Sequence, residues 1–262
     1  MPSGERTSYE TRSWEPTAAQ HRAAYQFAAK YAQGRRVVEI GCGVGFGARI
    51  LSQQATQVLA IDNSADAISA CEKDPPPANL AFRRVDSLSL SGSEITCDVL
   101  VAFQVIEHLA DTDRFLRLAA EATAPDGICL ISTPNALLSV GNNPYHHREY
   151  TAAELQGLLV HHFRSVELLG VKGSERAFRY HARRRRLVRS ILSADVLRVR
   201  RLLPRKITQR LADHMGAAVK RILILRGPRA EADDWEHEYS VGQGDLDKAL
   251  DLMAICRHRE RE

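Results

Sequence analysis

The segment Val37-Val38-Glu39-Ile40-Gly41-Cys42-Gly43-Val44-Gly45 constrains the fold of this chain more than any other. A short apolar run followed by three alternate glycines predicts a strand turning tightly into a helix. Glycine has no Cβ, so it takes φ > 0 readily and lets a ligand lie directly against backbone. A second apolar run, Val58-Leu59-Ala60-Ile61-Asp62, ends in an acid, about 20 residues after the turn, where a ribose diol is held in nucleotide-binding α/β folds. The two strand ends together predict a nucleoside-cofactor site.

The glycine spacing argues against a dinucleotide. A G-x-G-x-x-G fingerprint needs glycine where Phe46 stands, and Glu39, just before the turn, would repel a pyrophosphate. A cationic ligand suits that carboxylate better. The pattern E-x-G-x-G-x-G resembles motif I of the class I S-adenosylmethionine-dependent methyltransferases, whose cofactor carries an ammonium and a sulfonium but no phosphate. Further segments follow in that family's order. Residues 80–85 read as a third strand leading to Asp86-Ser87, and residues 98–103 as a fourth leading to Gln104-Val105-Ile106-Glu107-His108-Leu109. Pro125-Asp126-Gly127 reads as a turn before a fifth strand at 128–132, which runs into Thr133-Pro134-Asn135. These resemble the family's D-x8-E-H and P-G-G-x4-S-T-P-N signatures, with Asp126 in place of the first glycine.

The resemblance covers roughly residues 20–171 and the C-terminal strand. It implies a Rossmann-like α/β fold, a seven-stranded, mostly parallel sheet with an antiparallel last strand; residues 166–171 would be the sixth strand and 252–257 the seventh. S-adenosyl-L-methionine would lie against Glu39, Gly41, Gly43, Gly45, Asp62, Asn63 and Phe103, with its adenine at Asp86 and Ser87. Residues 17–32 read as a helix with Thr17 as its N-cap, and Tyr9, Trp14 and Tyr25 are placed to close over the cofactor.

The net charge of +4 conceals a division. Residues 172–229 hold 18 Lys and Arg against three acids, a charge of +15, whereas the rest carries 18 bases against 29 acids, or −11. The basic stretch falls between the sixth and seventh strands. Leu187, Ile191 and Leu192, then Val196, Leu197 and Val199, recur near helical spacing among arginines; Pro204 interrupts the pattern, and residues 207–225 resume it. The chain is thus expected to comprise a helical N-terminal cap (1–35), a core (36–171 and 230–262) and a basic helical insertion or lid (172–229). That insertion packs over the sheet edge or meets an anionic surface or phosphate. No apolar run reaches the ~18–20 residues that span a bilayer, and the N-terminus shows no apolar signal core. The five cysteines, Cys42, Cys71, Cys97, Cys129 and Cys256, are odd in number and lack C-x-x-C spacing. A reduced, cytoplasmic setting, peripheral to membrane if the basic helices bind one, is the expectation.

Methyl transfer from a sulfonium is an in-line displacement by an already activated donor. The protein has to align the nucleophile, exclude water and take a proton if the acceptor is a hydroxyl. Glu107-His108, after the fourth strand, and the loop Asn143-Pro144-Tyr145-His146-His147-Arg148-Glu149-Tyr150-Thr151 offer the groups. The loop enters a helix at 152–163, with Thr151 and Glu154 at capping-box spacing. An imidazole with pKa near 6.5 makes His108 or His146 a candidate general base, whereas His147, His161, His162 and His258 read as solvated or packed. The two segments also resemble a branch in which E-x-x-E-H and a later histidine hold a divalent metal. Position by position, Glu107, His108 and His146 would ligate Mg or Mn, with Gln104 standing where the pattern has a fourth, acidic ligand.

The expected activity is O-methylation of a sugar, glycan-linked or specialised-metabolite hydroxyl. The alternatives are a metal-dependent RNA 2′-O-methyltransferase and a non-catalytic cofactor-binding or membrane-surface protein. Nucleic acid is the less favoured partner, because the chain as a whole is only mildly basic, with a net charge of +4. The sequence leaves the oligomeric state open.

Overall fold

The computed structural model describes residues 16–139, 143–193 and 235–258. Its strands are β1 (Arg36–Ile40), β2 (Gln57–Asp62), β3 (Leu80–Arg84), β4 (Cys97–Phe103), β5 (Thr123–Pro134), β6 (Ser165–Gly173), β7 (Tyr239–Gly242) and β8 (Asp251–Arg257). They form one sheet in the order β3-β2-β1-β4-β5-β8-β6-β7. From β3 to β5 every neighbouring pair is parallel; β8 runs antiparallel to both β5 and β6, and β7 antiparallel to β6.

Side chains alternate across the strands, so each face buries its own set. On one face Val37, Val99, Val101, Leu130, Met253 and Ile255 pack under α1 (Pro16–Ala32) and α2 (Phe46–Ser52), through Ala24, Tyr25, Ala28, Ala48 and Leu51. On the other, Val38, Leu100, Ala102, Ile131 and Ala254 meet Phe115 and Leu116 of α4 (Thr112–Ala122) and Leu155 and Leu159 of α5 (Ala152–Leu159). The remaining helices are α3 (Ala65–Cys71) and α6 (Glu175–Ser193). The result is the α/β/α layering of a doubly wound sheet, whose ligands gather at the carboxyl ends of the parallel strands. Because β8 runs the other way, its first residue, Asp251, arrives at that same rim, opposite Pro134.

Several expectations need correcting. The sheet has eight strands, because Tyr239–Gly242 adds an outer strand to β6. Strand β5 starts at Thr123, so Pro125-Asp126-Gly127 is an irregularity within it, where the pairing with β4 jumps from Cys97↔Thr123 to Val99↔Ile128. Pro16 is the first residue of α1, a position suited to a residue that lacks an N–H, and Thr17 therefore lies inside the helix and does not cap it. Helix α5 carries the expected Thr151–Glu154 capping box but stops at Leu159.

Helix α1 is a packed layer of the domain, its Ala28 and Ala32 fully buried. A small cluster of Ala19, Ala23, Ala177, Trp235, Tyr239 and Leu250 joins α1, α6 and β7. Of the basic stretch only its beginning, through α6, is described; Val196, Leu197, Val199, Pro204 and residues 207–225 lie outside the described residues. All five cysteines are free and buried. No described helix is long and apolar enough to cross a membrane.

Candidate active site

At the β1 end the rim is built mostly from backbone. Gly41, Gly43 and Gly45 have φ of 76°, 55° and 80°, conformations that favour glycine. The N–H groups of Gly41 and Cys42 both donate to the Ile61 carbonyl, at 2.8 and 3.0 Å, tying the turn to β2. A Cβ on Gly41 would lie 2.5 Å from Val105 Cγ2, and one on Gly45 2.7 Å from the Phe82 ring, whereas no described residue comes within 4 Å of a Cβ on Gly43. The turn therefore backs onto protein at its ends and opens at its middle.

Two acids flank this opening. Asp62 accepts from Gly43 N (2.9 Å) and Ser64 N (2.8 Å) and stays partly accessible. Glu39 is fully buried; its Oε1 accepts from the Tyr25 hydroxyl at 2.6 Å, and its Oε2 has no hydrogen-bond partner among the described residues. A buried polar atom without a partner is costly, so an orphaned carboxylate oxygen beside a glycine turn fits a cationic ligand. Burial pushes the Glu39 carboxyl up to about 7, the Tyr25 hydrogen bond opposes that rise, and nearby Asp62 adds to it.

The other predicted cofactor residues are placed as follows. Phe103, the last residue of β4, is buried with its ring 5.0 Å from that of Tyr25. Asn63 is exposed just past β2. Asp86 and Ser87 follow β3, where Asp86 Oδ1 accepts from Leu88 N at 3.0 Å, and Val85 N binds the Asp62 carbonyl at 3.0 Å to draw the two strand ends together. Tyr25 sits within the core beneath the rim, while Tyr9 and Trp14 lie outside the described residues.

At the β4–β5 end the rim is built from side chains. Donor atoms of Glu107, His108 and His146 lie within 4.8 Å of one another, and the two imidazoles meet edge to face with centroids 4.8 Å apart. Glu107 is fully buried; Oε2 accepts from Thr133 Oγ1 at 3.0 Å, and Oε1 has no hydrogen-bond partner among the described residues. Burial pushes its carboxyl up to about 8, against smaller opposing effects that include the charge of His146. The 143–151 loop is held against it, since His147 N donates to the Glu107 carbonyl at 2.7 Å.

The hydrogen bonds of the histidines define their tautomers. His108 Nδ1 is 3.1 Å from the Tyr145 carbonyl, which can only accept; the proton of a neutral ring is therefore on Nδ1 and the lone pair on Nε2. His146 Nδ1 lies 2.7 Å from Glu149 Oε1, and its Nε2 lies 2.9 Å from Asn143 Nδ2. By the same reasoning its proton is shared with the carboxylate. Burial raises the Glu149 carboxyl, but hydrogen bonds from His146 and Ser139 outweigh this and hold it below its ordinary range.

Gln104 joins a different set. Its N–H donates to the Ser132 carbonyl at 2.9 Å, and its Nε2 lies 3.5 Å from Ser132 Oγ. The other histidines stand apart: His161 Nδ1 contacts the Gly157 carbonyl at 2.6 Å, and His162 pairs with Asp113 at 3.0 Å.

Sequence reasoning missed Gln20, Thr133, Asn143, Glu149 and Asp251. Asn143 and Glu149 had a detectable signal, each three residues from His146 in one loop. Gln20 and Asp251 had none, being 231 residues apart.

A family profile described as "Methyltransferase domain" matches residues 12–179. A probable S-adenosylmethionine-dependent methyltransferase of Mycobacterium tuberculosis is 31% identical over 242 residues, covering 90% of this chain and 81% of the relative. A ubiquinone biosynthesis O-methyltransferase of Azorhizobium caulinodans is 30% identical over 105 residues, 39% of this chain and 42% of that protein. Among solved structures, a SAM-dependent methyltransferase from Archaeoglobus fulgidus superposes with a TM-score of 0.55 at 15% identity, covering 92% of this chain and 94% of that one.

Proposed function

The chain belongs to the S-adenosylmethionine-dependent methyltransferases, and on that premise we propose that it methylates a hydroxyl of a small-molecule acceptor such as a sugar, a glycan-linked sugar or a specialised metabolite. Glu39, the glycine turn and Asp62 would hold S-adenosylmethionine, the unpartnered oxygen of Glu39 meeting its positive charge and Asp62 its ribose. His108 is the general base. The bound cofactor would supply an activated methyl group to the acceptor oxygen and leave as a neutral thioether, and His108 Nε2 would take the hydroxyl proton.

The observation that carries this reading is the His108 tautomer, which puts the lone pair on Nε2 in a ring stacked edge to face against His146. In our reading Glu149 and Asn143 orient His146, and His146 in turn positions His108. Partial relatives with O-methyltransferase names support a hydroxyl acceptor over an amine. The test is turnover of a panel of sugars and phenols with labelled donor. If His108→Ala kept full kcat on a confirmed hydroxyl acceptor, the assignment would be wrong.

A second reading rests on the unpartnered Oε1 of Glu107 beside two imidazoles. Glu107, His108 and His146 would hold Mg or Mn, and the bound cation would supply positive charge to acidify the acceptor hydroxyl. The donor set fits only in part, because Gln104 brings an amide directed at Ser132 where a carboxylate would be wanted, and Asn143 already occupies the ring nitrogen of His146 that faces away from Glu149. Turnover that survives exhaustive chelation favours the first reading, and loss restored by Mn the second.

A further inference from the structure

Helix α6 carries seven arginines and a single acid, Glu175, in 19 residues. Arg176 pairs with Glu238 at 3.1 Å and Arg179 with Glu175. Arg184, Arg185, Arg186 and Arg189 have no carboxylate partner among the described residues. The helix is anchored by another face: Ala177 is fully buried in the cluster with Trp235 and Tyr239, and His181 Nε2 lies 2.9 Å from the Tyr239 hydroxyl. Phe178, Ala182, Arg185 and Arg189 recur at i, i+4, i+7 and i+11 and so share one stripe. Phe178 is exposed, with the Arg185 guanidinium 5.6 Å from its ring centroid.

The large apolar side chains exposed among the described residues are Leu137, Val160 and Phe178. Two of the three adjoin one cluster, since Leu138 packs against the group that contains Ala177. Their place in the fold is the rim of the site. Strand β6 runs antiparallel to β8 with Val171 opposite Asp251, and Asp251 stands opposite Pro134 at the end of β5. The basic helix and the turn carrying Leu137 therefore both leave the sheet at the rim that bears Glu107 and His108.

Arginines alone suit any polyanion. Exposed apolar side chains beside them gain nothing from a phosphate in water, but a lipid interface uses both, charge on the headgroups and apolar area at the acyl boundary. Outside residues 172–229 the chain carries a charge of −11, so an anionic surface attracts this side and repels the rest.

We propose that α6 and the Leu137 turn form a docking surface for an anionic phospholipid bilayer, with Arg185, Arg186 and Arg189 on headgroups and Phe178 and Leu137 at the acyl boundary. The docked bilayer lies beside the acceptor end of the rim.

The test is co-sedimentation of the full chain with phosphatidylcholine vesicles, with and without phosphatidylserine. Binding is expected only where phosphatidylserine is present, and it falls as salt rises. Replacing Arg185, Arg186 and Arg189 together by glutamine is expected to lower the partition coefficient roughly 100-fold, at about fivefold per arginine. Lysine at the same three positions keeps the charge and holds binding within about threefold of wild type. Leu137→Ser with Phe178→Ser leaves every charge in place and is expected to cost about tenfold. An unchanged thermal unfolding midpoint shows that each variant keeps its fold. Equal binding to neutral vesicles, or no loss in the glutamine variant, overturns the proposal. So does full binding by the serine variant, or displacement from vesicles by single-stranded RNA at equal phosphate concentration, either of which marks a surface for polyanions in general. The assay needs neither cofactor nor acceptor, so its outcome is independent of the role assigned to His108.

Discussion

The two ends of the site are built in contrasting ways. The cofactor end draws on Glu39 to Asp62, a short stretch of sequence, and much of it is backbone: three glycines with positive φ and N–H groups pointed at Ile61 and Asp62. The opposite end draws on residues 20, 104, 107, 132, 133, 146, 149 and 251, joined almost entirely by side chains. In our reading the difference follows from what each would recognise. A cofactor of fixed shape is gripped by a turn that only certain residues can make, so it leaves a local pattern. A variable acceptor is met by side chains from elements that fold together only in three dimensions.

The comparison is broken most directly at His108. If the acceptor end performs the proton transfer, His108→Ala lowers kcat by about 10²–10⁴-fold and leaves S-adenosylmethionine affinity unchanged by calorimetry. A matching loss of cofactor affinity would mean that the two ends are one unit.

Next in size is a pH effect that both ends share. Glu39, Glu107 and Asp251 are buried and raised, to about 7, about 8 and about 7. Between the unfolded value of 4.5 for a glutamate and these folded values, the native state binds more protons than the unfolded state. Stability of the cofactor-free protein therefore falls as pH rises from about 5 to 8, and levels off above. Glu39→Gln removes one contributor and flattens the decline by up to about 3 kcal/mol, measured by urea unfolding across pH. A cationic cofactor favours ionised Glu39, so its affinity rises over the same interval and binding releases a proton.

Asp62 gives a smaller effect confined to one end. Asp62→Ala removes the acceptor of Gly43 N and Ser64 N as well as the proposed ribose partner, and is expected to weaken cofactor binding about 10–100-fold. At saturating cofactor kcat recovers most of its value. A persistent kcat defect would show that the turn also sets the geometry of the acceptor end.

The same contrast explains what was legible in the sequence. Strands β1 to β6 and β8 were readable because each is an apolar run of period two or a continuous buried one. Strand β7 was not: Tyr-Ser-Val-Gly is four residues long, sits at the edge, and gains its place by pairing with β6. Glu39 and Asp62 announced themselves by position after a strand. Asp251 is one acid at the start of a strand and looks like any other until Gln20 is seen on it. Thr17 was misplaced because a good N-cap residue follows directly on a proline that is itself a good first helical residue.

Tyr25 tests the smallest effect and the boundary between the two ends. Among the described residues its hydroxyl is the sole hydrogen-bond donor to Glu39, and its ring packs against Phe103 and Phe46. Tyr25→Phe keeps the packing and removes the hydrogen bond, so it isolates that contact at about 1–2 kcal/mol of stability. Because the hydrogen bond lowers the Glu39 carboxyl against its burial, its loss moves that group further up and weakens cofactor binding most near neutral pH, less at pH 9, where Glu39 is ionised in either protein. A Tyr25→Phe protein with the wild-type pH profile for cofactor affinity would show that α1 merely covers the cradle. A shifted profile makes α1 part of both ends, through Tyr25 on Glu39 and through Gln20 on Asp251.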